Sequence, residues 1–85
     1  MTEGEYRVGI TFNPSANPDV DMIKKSVAAL IDFLAPLSAD REHPGARCAS
    51  IAMTELESAA MWAVKAVTKQ PKTSDGPSVT VTVKE

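Results

Sequence analysis

Residues 47 to 69 read RCASIAMTELESAAMWAVKAVTK, and this stretch decides the fold. It contains no Gly or Pro and is rich in alanine, the residue with the best intrinsic helix propensity, so it predicts one long helix. At about 100° per residue, Leu56 and several alanines share one small, apolar side that a second helix can approach closely. Arg47 and Lys65 are 18 residues apart, which is five turns, so they share the opposite, polar side with Thr54. This polar stripe is either a solvated face or a surface that holds an extended anion.

A helix is also predicted from about residue 18 to 35, where apolar residues recur at spacings of three and four. Asn17 is a good N-cap for it, and Pro36 disfavours its continuation. The connection at residues 36–46 is short, so this helix and the helix at about 46–69 are expected to form an antiparallel hairpin.

Both ends of the chain alternate between apolar and polar residues, as half-buried strands do. The pattern predicts an N-terminal strand at about residues 5–12 and a C-terminal strand at about 78–84. The expected fold class is therefore α+β, a single domain of residues 1–85 in which β-strands flank the two-helix hairpin. Two strands alone are marginal in water, so we expect them to pack on the hairpin or to pair with another subunit of a homo-oligomer.

The composition limits the function of these 85 residues, which carry a formal net charge of −2 and one cysteine. The negative charge argues against binding of nucleic-acid polymers, which normally relies on a basic surface. No apolar run reaches the roughly 18 residues of a membrane span, and the acidic N-terminus lacks the features of a signal peptide. We therefore expect a cytoplasmic protein that does not bind membranes.

Groups that support catalysis are sparse in the sequence. His43 is the only histidine and lies in the Pro- and Gly-rich connection. Glu55 and Glu57 would diverge by about 200° on a helix, so they cannot act as a carboxylate pair. No glycine-rich phosphate loop is present. The chain is interpreted as a binding protein rather than an enzyme, without a metal or a cofactor.

A ligand that contains phosphates and bases needs cations, an aromatic face and an amide or hydroxyl group. The sequence offers each of these, although scattered surface charge is the simpler interpretation from composition alone. The candidate residues are Phe12, Asn13, Lys24, Arg47, Thr54 and Lys65.

The helix at 47–69 resembles the second helix of a family of small bacteriophage proteins, the helical-hairpin sponges that counter the CBASS and Thoeris defences. Residues 21–34, DMIKKSVAALIDFL, resemble the first helix of that family, and FNPS at 12–15 resembles its start. The residues that follow the pattern of the second helix are Arg47, Ile51, Thr54, Leu56, Met61, Ala63, Val64 and Lys65.

The resemblance implies non-catalytic binding of cyclic nucleotide second messengers: cyclic dinucleotides, cyclic trinucleotides or cyclic ADP-ribose isomers. It also implies a homo-oligomer, dimer or hexamer, with sites between subunits, in the cytoplasm of the infected host cell. The alternative is a small structural or protein-binding hairpin module without a small-molecule ligand.

The resemblance also implies individual roles for the candidate residues. Phe12 would stack on a base with support from Asn13, and Lys24 and Lys65 would contact phosphate. Arg47 and Thr54 would complete the pocket or form a second site.

Overall fold

The computed structural model describes residues 1–70, which contain three helices: α1 (Glu3–Val8), α2 (Pro18–Ala39) and α3 (Ala46–Thr68). The two long helices form the expected hairpin, and α1 packs mainly against α2, with a smaller contact to α3. Among these residues, no helix combines the length and the apolar character needed to cross a membrane.

Helix α2 begins where the sequence predicts, but it continues past Pro36 to Ala39. At its start, the Asn17 side chain accepts a hydrogen bond from the backbone N–H of Asp19 at 2.8 Å. A proline inside a helix removes one backbone hydrogen bond. The last turn nevertheless contacts α3, because the hydroxyl groups of Ser38 and Ser50 lie 2.5 Å apart. Packing against the neighbouring helix therefore favours a helical conformation beyond the proline.

The apolar residues buried in the core of the hairpin are mostly small. Ile31 is fully buried at the centre of α2, and Met53 is the largest buried residue of α3. Alanines on both helices allow close approach, as the alanine-rich sequence predicts. The remaining buried apolar residues are Val20, Ala28, Ala49 and Ala60.

The predicted N-terminal strand is wrong, because α1 and a turn occupy that segment. Thr2 and Glu5 form a reciprocal capping box at the start of α1, and Gly9 ends the helix in the left-handed conformation with φ 64°. The alternating apolar residues do not share a buried face, since Tyr6 is 74% and Phe12 is 72% exposed. Local capping and a glycine stop therefore prevail over the period-two pattern.

Helix α1 lies close to α2 because it carries a glycine at the contact. A Cβ atom on Gly4 would lie 2.1 Å from the carbonyl oxygen of Ala28, so no other residue fits without a shift of the backbone. The backbone N–H of Gly4 also donates a hydrogen bond of 2.7 Å to the carboxylate of Asp32. The predicted α+β class is therefore wrong for residues 1–70, which contain helices and no strand. The C-terminal strand predicted at 78–84 lies outside the described residues.

Candidate functional site

Lys24, in the second turn of α2, is buried beneath the loop that joins α1 to α2. It is only 6% exposed, although lysine is a charged residue. Its Nζ donates hydrogen bonds to the carbonyl oxygens of Gly9, at 2.9 Å, and of Phe12, at 2.5 Å. Burial of an ammonium group is costly unless it is hydrogen-bonded, and these two carbonyl groups compensate for part of the lost hydration. Lys24 therefore fixes the course of the loop from inside.

Phe12 lies on the outside of the same loop. Its side chain is 72% exposed, and the Nζ of Lys24 lies 5.4 Å from its ring centroid. This distance is within the range of a cation–π interaction, for which the limit is about 6 Å. The ring is thus oriented by the ammonium group while most of its surface contacts solvent. An exposed, oriented aromatic ring can stack on a planar group of a ligand.

Asn13 supports the loop through its side-chain amide. The Nδ2 atom donates to the backbone carbonyl of Asn17 at 2.9 Å and to the carboxylate of Asp21 at 3.0 Å. The Oδ1 atom accepts from the backbone N–H of Asn17 at 3.1 Å. These bonds hold Asn13 against the start of α2, directly after Phe12. Asn13 therefore orders the loop beneath the ring of Phe12.

The polar stripe of α3 is exposed along its length, as the sequence predicts for Arg47, Thr54 and Lys65. The Nζ of Lys65 lies 5.2 Å from the ring of Trp62, which is itself 66% exposed. The hydroxyl of Thr54 donates to the backbone carbonyl of Ser50 at 3.3 Å. With a rise of 1.5 Å per residue, Arg47 and Lys65 are about 27 Å apart along the helix.

The six candidate residues therefore fall into two groups. Phe12, Asn13 and Lys24 lie in and under one loop, and Lys65 is exposed on the last turns of α3, at the same end of the hairpin. We call these four residues the open-end cluster. Arg47 lies at the other end of α3, beside the connection of the hairpin, and Thr54 lies on the same stripe two turns further along.

The cavity lies between α1 and the open end of the hairpin and has a volume of about 220 Å³. Arg7 of α1 and Glu57 of α3 both line it and lie side by side, with Nη1 and Oε1 3.8 Å apart, and Nε of Arg7 also pairs with Glu3 at 2.7 Å. The remaining lining residues are Val8, Lys24, Ala60, Met61 and Val64.

The prediction from the sequence missed Arg7 and Glu57 because it placed residues 5–12 in a strand. Two local signals indicate the helix instead. Thr2 and Glu5 have the spacing of a capping box, and Glu3 and Arg7 have the four-residue spacing of a helical ion pair.

The open end of the hairpin thus carries an exposed aromatic ring, a buried lysine and an adjacent cavity. The model of the Acb2/Tad1 hairpin domain matches residues 4–68, and the chain belongs to this family. The family consists of phage sponge proteins that bind cyclic nucleotides and counter CBASS or Thoeris, so the resemblance of the helix sequences is confirmed. No match to the chain was found among curated proteins or solved structures.

Proposed function

We propose that the protein sequesters a cyclic nucleotide second messenger without chemical change, and so withholds it from the effector of a host CBASS or Thoeris system. Membership of the Acb2/Tad1 hairpin family supports a sponge-type role in general. The ligand class is a cyclic dinucleotide, a cyclic trinucleotide or a cyclic ADP-ribose isomer. The site of action is the cytoplasm of the infected cell, where such messengers are made.

The observation that carries this proposal is the pairing of Phe12 with Lys24. A ring that is 72% exposed would normally be an unfavourable feature of the surface, yet this one is oriented by an ammonium group 5.4 Å away. Stacking of a base on an aromatic ring contributes about 1–3 kcal/mol. The positive charge beneath the ring also attracts the phosphates of the same ligand. The two effects together favour a nucleotide over an uncharged aromatic compound.

The other residues of the open-end cluster have complementary roles. Lys65 is exposed and contacts phosphate directly, whereas Lys24 is buried and acts through the loop and its charge. Asn13 holds the loop in the conformation that presents the ring. The cluster provides one cation at the surface and one beneath it, which suits a ligand with more than one phosphate.

Arg47 and Thr54 belong to a second region in this proposal. Arg47 is about 27 Å from Lys65, which is too far for both residues of one subunit to contact one cyclic dinucleotide. We propose that Arg47 and Thr54 complete a site with another copy of the chain, or form a separate site along the stripe.

A homo-oligomer, dimer or hexamer, is part of the proposal. Met22, Leu30 and Phe33 of α2 are 60%, 51% and 72% exposed, and at 100° per residue they lie within about 80° of one another. Exposed apolar patches of this kind mark interaction surfaces. The same patch would also serve a structural or protein-binding module without a small-molecule ligand, which is the competing function.

Isothermal titration calorimetry against a panel of cyclic dinucleotides, cyclic trinucleotides and cyclic ADP-ribose isomers tests the proposal. We expect saturable binding of at least one compound and none of its linear counterpart. Recovery of the bound compound after denaturation, followed by mass spectrometry, should return it intact. The absence of heat with every compound would favour the protein-binding module, and a degraded product would indicate an enzyme.

A further inference from the structure

We propose that the cavity between α1 and the hairpin is a base pocket that accepts guanine in preference to adenine, and that Glu57 and Arg7 read the edge of the base. The inference rests on the proposed binding of cyclic nucleotides. It concerns a different part of the surface from the ring of Phe12, although Lys24 contributes to both. It assigns a role to two residues of opposite charge that are not among the six candidates predicted from the sequence.

The size of the cavity limits what can enter it. Its volume is about 220 Å³. Pockets that hold a whole small molecule usually have volumes of about 300–1,000 Å³. A complete cyclic dinucleotide therefore does not fit, whereas one of its bases does. The rest of the ligand would remain outside, toward the loop.

The charges around the cavity favour a neutral group over a phosphate. Arg7 is paired with Glu3 at 2.7 Å and faces Glu57 at 3.8 Å. The ammonium of Lys24 is directed to two backbone carbonyls. The charge of Arg7 is thus matched by carboxylates and the ammonium of Lys24 is directed toward the loop, so the cavity itself offers no excess of positive charge to a phosphate.

The walls of the cavity suit the faces of a planar ring. Val8, Ala60 and Val64 provide aliphatic surface, and Met61 provides a polarisable thioether that packs well against aromatic rings. Met61 is 65% exposed, so its flexible side chain is free to cover a bound base. A slot of this kind gives affinity for any base, and specificity must come from the polar residues at its rim.

Glu57 and Arg7 together match the edges of guanine. Their separation of 3.8 Å is too long for a hydrogen bond, so both groups keep capacity for a ligand. An ionised carboxylate only accepts hydrogen bonds, and guanine offers two adjacent donors, N1–H and the N2 amino group. Arginine donates to O6 and N7 of guanine. Adenine would place its N1 acceptor against the carboxylate, and such an unfavourable pairing is an effective source of discrimination.

Methyl NMR of the full chain with ¹³C-labelled methionine tests this inference. The probes are guanosine and adenosine 5′-monophosphate, cyclic di-GMP and cyclic di-AMP. We expect the guanine compounds to shift the Met61 methyl signal saturably and the adenine compounds to bind about tenfold more weakly. Met22, on the outer face of α2 and 60% exposed, provides the internal control and should not move.

The Glu57→Gln variant tests the edge contact. A glutamine amide has one acceptor oxygen and one donor nitrogen, so it cannot accept from both N1–H and the N2 amino group of guanine. The preference for guanine should therefore fall about tenfold, without weaker binding of the adenine compounds. Glu55→Gln makes the same change two residues away, on the exposed side, and should behave like the unmodified protein. Circular dichroism confirms that both variants are folded.

The outcomes separate this inference from the proposed function. Cyclic nucleotide binding without a shift of Met61, or with equal affinity for guanine and adenine compounds, would overturn the base pocket and leave sequestration intact. A shift of Met61 with guanosine 5′-monophosphate, but no binding of any cyclic nucleotide, would support the pocket and overturn sequestration. No effect of Glu57→Gln on the preference would overturn the role of Glu57.

Discussion

The ammonium group of Lys24 contacts Phe12 in two ways, because it donates a hydrogen bond to the backbone carbonyl of that residue and lies 5.4 Å from its ring centroid. The loop conformation and the orientation of the ring therefore depend on the same charged atom. Lys24 is 6% exposed and Phe12 is 72% exposed, so a buried residue orients the side chain of an exposed one. Substitutions at the two positions should consequently differ in their effects on stability and on binding.

Lys24→Met should destabilise the protein. Methionine fills similar space but leaves the carbonyls of Gly9 and Phe12 without their donor. Loss of hydrogen bonds from a charged group costs about 1.5–3 kcal/mol, and each kcal/mol lowers the Tm of a domain of this size by about 4–8 °C. Lys25→Met is the matched control, because Lys25 is exposed and should show no such loss. Equal melting temperatures for the two variants would contradict the structural role of Lys24.

Phe12→Ala should leave the Tm almost unchanged and weaken cyclic nucleotide binding about tenfold, or about 1.4 kcal/mol. The reason is that the ring has little buried surface to lose but provides the stacking face. Tyr6→Ala is a suitable control, since Tyr6 is another aromatic residue with 74% exposure. Thermal melts and calorimetry measure both quantities. A large drop in Tm with unchanged affinity would assign Phe12 to the core.

Gly4→Ala should destabilise the protein although alanine is the better helix former. The added Cβ would lie 2.1 Å from the carbonyl oxygen of Ala28, so α1 must move away from α2. Overpacking of this kind costs about 1–3 kcal/mol, which exceeds the gain of up to about 1 kcal/mol in helix propensity.

Gly45→Ala is the control for that change. A Cβ there meets only the side chain of His43, at 3.3 Å, and a side chain can yield. Denaturant unfolding curves should therefore show a loss for the first variant and little change for the second. A more stable Gly4→Ala protein would show that α1 is not held against α2 in solution.

Lys65→Glu should abolish or strongly weaken ligand binding with little loss of folding. Lys65 is exposed and lies over Trp62 at 5.2 Å, so no core contact depends on it. A charge-assisted bond to phosphate contributes about 1.5–3 kcal/mol, and reversal of the charge adds repulsion. Lys25→Glu changes the net charge equally on another helix. If both variants bind alike, the effect is one of overall charge and Lys65 is not a contact residue.

Phe33→Glu should dissociate the proposed homo-oligomer. Phe33 is 72% exposed on the apolar face of α2, where a buried charge in an interface would be unfavourable. Light scattering should give a multiple of 9.1 kDa for the unmodified chain and a smaller mass for the variant. Ala39→Glu, at the exposed end of α2, is the control. A monomer before any substitution would remove the intersubunit sites from the proposal.

Residues 18 to 70 show how much of this fold can be predicted from local sequence patterns. Apolar residues at spacings of three and four, an Asn-Pro start and an alanine-rich second helix were sufficient to predict the hairpin and the exposed stripe of Arg47, Thr54 and Lys65. These features depend on neighbours within one or two turns, which a sequence displays directly. Even here, the continuation of α2 through Pro36 depended on contacts with α3 and was missed.

The sequence by itself thus determined the two long helices and the solvent-exposed side of α3, because helical periodicity specifies which residues share a face. It also determined the pairing of the two helices, because the connection between them is short. Only the tertiary structure decided that α1 packs against α2, that Lys24 is buried and that Arg7 faces Glu57. The physical reason is that each of these depends on groups distant in sequence. Gly4 donates a hydrogen bond to the carboxylate of Asp32 and packs against the backbone of Ala28. The carbonyls of Gly9 and Phe12 accept hydrogen bonds from Lys24, which the sequence alone does not distinguish from a surface lysine.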